Sequence, residues 1–201
     1  MPKRRADLVP HPRYGREPRV TGLDPQVDFP TCTVFLHWYS PSEVRVPNTA
    51  IAADTSRQNR PTIAVTHCFD SRRRCVDCRR VFLFFAAEQK YWYEVLGFPL
   101  ESDCLRCVPC RKRQRELDAQ GQRYEELFPL EDRTPDQDIE FVECSLALVA
   151  AGVFGRRPLE RVRAILKKAK PHLKLQTVWE RLREIEEAHA PVGDGQGPDL
   201  T

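Results

Sequence analysis

The chain has 201 residues, of which 41% are apolar, 30% charged and 17 are proline, and its formal net charge is +3. That size suits one modest domain with tails or two small ones, and the balance of charge to apolar content leaves room for only a limited core. The longest apolar runs, VFLFFAA and LALVAAGVF, fall short of the roughly 18 residues a membrane span needs, which excludes a spanning helix.

The first residues, MPKRRADLVPHPRYG, are basic and lead into no apolar stretch of the kind a secretory signal has. A cytoplasmic location, with no membrane partner, is therefore expected. Residues 1–61 read as an extended basic arm with a candidate strand at TCTVFLHWY, residues 31–39. TIAVTHCF, residues 62–69, is a second β-prone stretch. It opens a small α+β domain expected over 62–116. In that domain CVDC forms a tight turn and VFLFF a strand. AAEQKYWYEVLG, from Ala86, forms a short helix closed by Gly97. Tyr91, Val95 and Phe98 are spaced to cover one side of it, with Trp92 and Leu96 flanking. Residues 117–133 read as a linker.

A helical module is expected over 134–189. Asp136 and Asp138 stand near the start of its first helix, where acids suit the helix dipole. Leu159, Val162, Ile165, Leu166 and Ala169 form one 3.6-period stripe, ended by Pro171. Leu175, Val178, Trp179, Leu182 and Ile185 form another. Residues 190–201 read as a disordered polar tail.

Eight cysteines in a reducing compartment argue for metal rather than disulfides. Cys75 and Cys78 form one CxxC pair. CLRCVPC, residues 104–110, offers three more cysteines at even steps. Two CxxC pairs at least 25 residues apart are a strong signal for a four-thiolate zinc site. Spacing alone leaves the second pair open between Cys104 with Cys107 and Cys107 with Cys110. Cys32, Cys68 and Cys144 stand singly in apolar surroundings and read as buried free thiols. His67 and Cys68 offer a weaker, mixed second site.

The order CVDC, VFLFF, Glu88–Gln89, Tyr91–Trp92–Tyr93, Gly97–Phe98 and CVPCRKR resembles the probable zinc-ribbon domain family. The resemblance covers about 43 residues, within 73–115. It implies a small α+β zinc-ribbon-like domain, which the residues outside it flank with an extended basic N-terminal arm and a C-terminal helical segment. It implies Zn2+ held by Cys75, Cys78, Cys107 and Cys110, leaving Cys104 over. The chain departs from the pattern at Arg79, where the family commonly has glycine after the first CxxC. No catalytic residue is implied.

Positive charge gathers on the arm and beside the cysteines. The first twenty residues hold six Lys or Arg against two acids, and residues 71–80 hold five Arg and one Asp. One reading is that these charges offset a zinc–tetrathiolate centre of formal charge −2. The other is a phosphate-binding face built from Arg73, Arg74, Arg79, Arg80, Arg111, Lys112 and Arg113, with the aromatics at 91–93 available to stack on bases. The expected function is a zinc-binding, non-enzymatic protein that binds DNA, RNA or a ribonucleoprotein. The alternatives are a protein-interaction scaffold docking a partner through its C-terminal helices, and a thiol redox sensor using Cys104. No dinucleotide-binding, P-loop or HExxH motif is present.

Overall fold

The computed structural model describes residues 8–26, 33–38, 41–59, 61–169 and 174–188. Cys32, Pro171, His172, His189 and the expected tail at 190–201 lie outside them. The chain forms two compact units, Met1–Lys112 and Arg113–Thr201. Among the described residues no helix is long and apolar enough to cross a membrane.

The first unit is built round a hairpin. Strands β4 (Ser71–Arg74) and β5 (Val81–Phe84) pair antiparallel, and β1 (Leu8–Val9) adds in parallel on the other side of β5. Part of the arm is therefore a strand of the domain. A second, two-stranded sheet pairs β2 (Ile51–Ala52) with β3 (His67–Cys68). The candidate strand over 31–39 contributes only an isolated bridge from Leu36 to His67, with 31, 32 and 39 outside the described residues.

Side chains alternate along a strand, and β5 uses both faces. Phe82 and Phe84 pack with Val9, Cys75, Cys104, Cys107 and Cys110, while Leu83 joins Phe85 and Val46. A third cluster gathers Val65, Cys68, Ala86, Tyr93 and Leu100.

Helix α1 (Ala86–Lys90) starts where Asp70 accepts from the Ala86 N–H at 2.7 Å. It passes into a π turn, Tyr91–Val95, in which the Leu96 N–H reaches the Tyr91 carbonyl five residues back. This shift in period overturns the expected aromatic face. Tyr93 points inward at 2% exposure, while Tyr91, Val95, Leu96 and Phe98 are exposed. Gly97 closes the turn at φ 67°, a backbone conformation that favours glycine.

Helix α2 (Val108–Leu127) runs through residues 117–127, which the sequence reading assigned to a linker. The stretch is mostly Leu, Gln, Glu, Ala and Arg, all good helix formers. It carries no apolar stripe except Tyr124 and Leu127 near its end, so periodicity gave no signal.

Helices α3 (Pro135–Ala150), α4 (Arg157–Lys168) and α5 (Leu175–Ala188) complete the second unit. Thr134 caps α3 by a reciprocal pair: it accepts from the Gln137 N–H, and Gln137 Oε1 accepts from the Thr134 N–H. Leu159, Val162 and Leu166 from α4, and Val178, Leu182 and Ile185 from α5, meet Phe141, Val142, Leu146 and Val149 in one cluster. The two stripes seen in the sequence are used inside this unit.

Candidate metal centre

The first CxxC sits in the turn between β4 and β5. The Cys75 N–H donates to the Arg80 carbonyl at 2.9 Å, and the Arg79 N–H donates to the Cys75 carbonyl at 3.0 Å. Closing so tight a turn puts Arg79 at φ 60°. A left-handed conformation costs a non-glycine residue about 1–2 kcal/mol, which accounts for glycine being the natural occupant. Arg74 Nη1 donates to the Arg79 carbonyl at 2.8 Å and helps hold the turn.

The second pair lies at the start of a helix rather than in a second knuckle. Cys107 immediately precedes α2 and Cys110 is in its first turn, with the Arg111 N–H bonded to the Cys107 carbonyl. Two contacts join the ligand segments without involving a thiol. The Val76 N–H donates to the Leu105 carbonyl at 3.0 Å, and Arg106 Nε donates to both oxygens of Asp77 at 3.1 Å.

The structure brings Cys75, Cys78, Cys107 and Cys110 together, with the four sulfurs within 4.8 Å of one another. Cys78 Sγ and Cys107 Sγ are 3.7 Å apart. A tetrahedral zinc with Zn–S near 2.3 Å requires sulfurs about 3.8 Å apart, so the donor set fits the ion. Burial raises the Cys75 thiol, but the N–H groups of Cys78, Cys107 and Asp77 point at its sulfur and bring it down to about 6. Cys110 is pushed up to about 12 by burial and then by the neighbouring thiols. Four adjacent thiolates repel one another, and a divalent cation among them reverses that penalty.

Cys104 does not join the cluster. It is 1% exposed, its thiol donates to the Arg106 carbonyl at 3.5 Å, and burial pushes it up to about 12. Cys68 is likewise buried and raised to about 12, chiefly by burial. It forms no ligand group with His67 among the described residues.

The seven basic candidates divide into two kinds. Arg73 Nη2 pairs with Asp103 at 3.1 Å, and Arg111 Nη2 pairs with Glu88 at 2.6 Å while its guanidinium lies 5.0 Å over Trp92. These two point inward. Arg74, Arg79, Arg80, Lys112 and Arg113 are exposed, as is Arg72, which was not among the candidates. Asp77, Glu88 and Asp103, the acids that sort the arginines, carried no sequence signal of their own. Asp77 lies between two ligand cysteines, but its partner is 29 residues away.

A zinc knuckle on a β-hairpin, followed by a helix whose first turn gives the second ligand pair, defines a treble clef zinc-binding domain. A family model described as a probable treble clef domain matches residues 69–118, a specific architecture consistent with the zinc-ribbon-like reading. No curated protein and no solved structure compared with the chain matches it. The four-cysteine cluster fits Zn2+ as the resident ion. Such an ion would cross-link the knuckle hairpin to α2.

Proposed function

We propose that this zinc-stabilised, non-enzymatic protein binds nucleic acid, free or in a ribonucleoprotein, through the outer face of its knuckle hairpin. The observation that carries the reading is the exposure of Arg72, Arg74, Arg79 and Arg80 on one hairpin. No ion pair among the described residues involves them, and the one acid in the turn, Asp77, is taken by Arg106. Four guanidinium charges against a formal −2 for a zinc–tetrathiolate leave the hairpin net positive, so offsetting the metal does not account for all of them. Four thiolates also fill a tetrahedral shell and leave no position for a reacting water, which supports a non-enzymatic role. Thiolate ligands favour a reducing compartment, consistent with the cytoplasm.

The test is fluorescence anisotropy with mixed-sequence RNA and DNA. Four phosphate contacts would weaken binding roughly 50- to 150-fold between 50 and 200 mM salt. Replacing Arg79 and Arg80 by Gln should weaken binding to every sequence alike. Undetectable binding at 50 mM salt overturns the reading.

A scaffold role is favoured by a different observation. Tyr91, Val95, Leu96 and Phe98 leave an exposed apolar ridge at the π turn, whereas the C-terminal stripes are consumed in their own core. A partner retained after nuclease treatment and lost in Leu96→Asp would support it. The redox reading has less support, because a buried thiol raised to about 12 is a poor nucleophile.

A further inference from the structure

We propose that the N-terminal arm sets how tightly the metal is held, through a chain of contacts from His11 to Glu88 to Arg111. The inference rests on the fit of the four cysteines to zinc and not on the nucleic-acid reading. It places a determinant of the metal centre outside residues 69–118.

Two of the four ligands depend on where α2 begins, so whatever anchors that first turn positions Cys107 and Cys110. Arg111 is the anchor. Its backbone belongs to the turn, while its side chain leaves the helix to meet Glu88 on α1 and to lie over Trp92. Both members of the ion pair are largely buried, at 14% and 10% side-chain exposure. A guanidinium suits this place because it can pair with the carboxylate and lie on an aromatic face at once, which an ammonium does less well.

Glu88 has a second oxygen to satisfy. Oε2 is buried and faces His11 Nε2 at 3.4 Å, with no hydrogen bond within the usual limit. His11 is oriented for that role. Its Nδ1 accepts from the backbone N–H groups of Arg13 and Tyr14 at 3.1 and 3.2 Å. The ring proton is then on Nε2, the nitrogen that faces the carboxylate at 3.4 Å without closing a hydrogen bond to it. The ring packs edge-on against Phe85 with centroids 5.6 Å apart, and β1 just upstream pairs with β5. The arm is thus held to the domain just before the histidine and at the histidine itself. Removing His11 takes away the polar ring nitrogen and the ring packing that face Glu88 Oε2 in this buried place, which loosens the hold of Glu88 on Arg111 and, through it, on the ligand turn. Glu88, Arg111 and His11 are positioning residues, since none of them supplies a donor to the ion.

The experiment uses the full zinc-loaded chain and follows Zn2+ release to a chelating dye, with the absorption bands of the Co2+-loaded protein as the report on ligand geometry. Loss of an outer partner of a metal ligand costs about 10- to 100-fold in affinity, so Glu88→Gln and Arg111→Lys should release zinc about 10-fold faster or more and shift the cobalt bands. His11→Gln should move both in the same direction by less. The His11→Gln, Glu88→Gln double variant should release no faster than Glu88→Gln alone, because contacts in one chain are not additive. Val65→Ala, in a separate cluster of the same unit, should leave release and cobalt bands unchanged, although it weakens the fold. The proposal is overturned if His11→Gln releases zinc at the wild-type rate, if Val65→Ala is as fast as Glu88→Gln, or if the double variant is additive. Should Glu88→Gln fail to fold, His11→Gln, which leaves the Glu88–Arg111 pair in place, decides the matter.

Discussion

The two units reach stability by different routes. In the second, α3, α4, α5 and the end of α2 bury their apolar side chains in one continuous cluster, with Leu146 and Val162 fully buried. In the first, the buried side chains fall into three small clusters, and one of these includes three of the ligand cysteines. Small separate clusters remove little apolar surface from water. The first unit therefore depends on cross-linking, by the metal and by buried polar pairs, for what the second obtains from packing.

The sharpest way to break that contrast is to remove the ion. Structural zinc contributes apparent free energies of about 10–16 kcal/mol in small zinc domains. Chelation, or Cys107→Ser, is expected to unfold the first unit and leave the helices of the second. Amide hydrogen exchange would show protection lost in β4 and β5 and kept in α3 to α5. Equal loss in both units would show that they do not differ in this way.

The converse experiment is Leu146→Ala, at a fully buried position. A Leu→Ala cavity typically costs 2–5 kcal/mol. The expected outcome is a lower unfolding midpoint for the second unit at unchanged zinc stoichiometry. Zinc loss in this variant would contradict the separation.

Arg79→Gly acts within the first unit. It relieves a left-handed arginine and should stabilise the metal-bound hairpin by about 1 kcal/mol, measured as a raised midpoint. It also removes one exposed charge, so under the nucleic-acid reading stability should rise while affinity falls. A rise in both would separate Arg79 from binding.

The smallest expected effect is a pH slope. His37 is buried, with Nε2 2.6 Å from the Leu100 carbonyl and 3.3 Å from the Tyr93 hydroxyl. Burial chiefly lowers its pKa from the ordinary 6.5. The unfolded chain then binds more protons than the folded one in the window just below that value, so stability declines as pH falls through about 6.5. His11 and His67 are lowered in the same direction, also chiefly by burial. His37→Gln should reduce the slope in denaturant titrations between pH 7.5 and 5.5 without abolishing it, and an unchanged slope would remove His37 from the account.

Much of the site was legible in the residue order. The spacing of CVDC and CLRCVPC marked a four-thiol site but left the second pair open, and only the resemblance to a zinc-ribbon pattern implied Cys107 and Cys110. The stripes at 159–169 and 175–185 marked helices because one face of each repeats at the helical period. The polar half of α2 gave no such pattern. The aromatics at 91–98 misled, because a π turn changes the angle between successive side chains. Arg73 and Arg111 read as surface charges because a basic run carries no sign of which members meet an acid.

The sequence by itself determined the ligand type, the number of thiols, the helical module and the concentration of arginine around the cysteines. All of these are local properties, set by residue identity and spacing over a few turns of chain. Tertiary structure alone decided where Cys104 is buried beside the cluster, that Arg73 and Arg111 point inward while Arg79 and Arg80 point outward, and that His11 faces Glu88. Those outcomes depend on which distant segments are brought within a few ångströms, where burial and pairing decide whether a charge is a structural strut or an exposed contact.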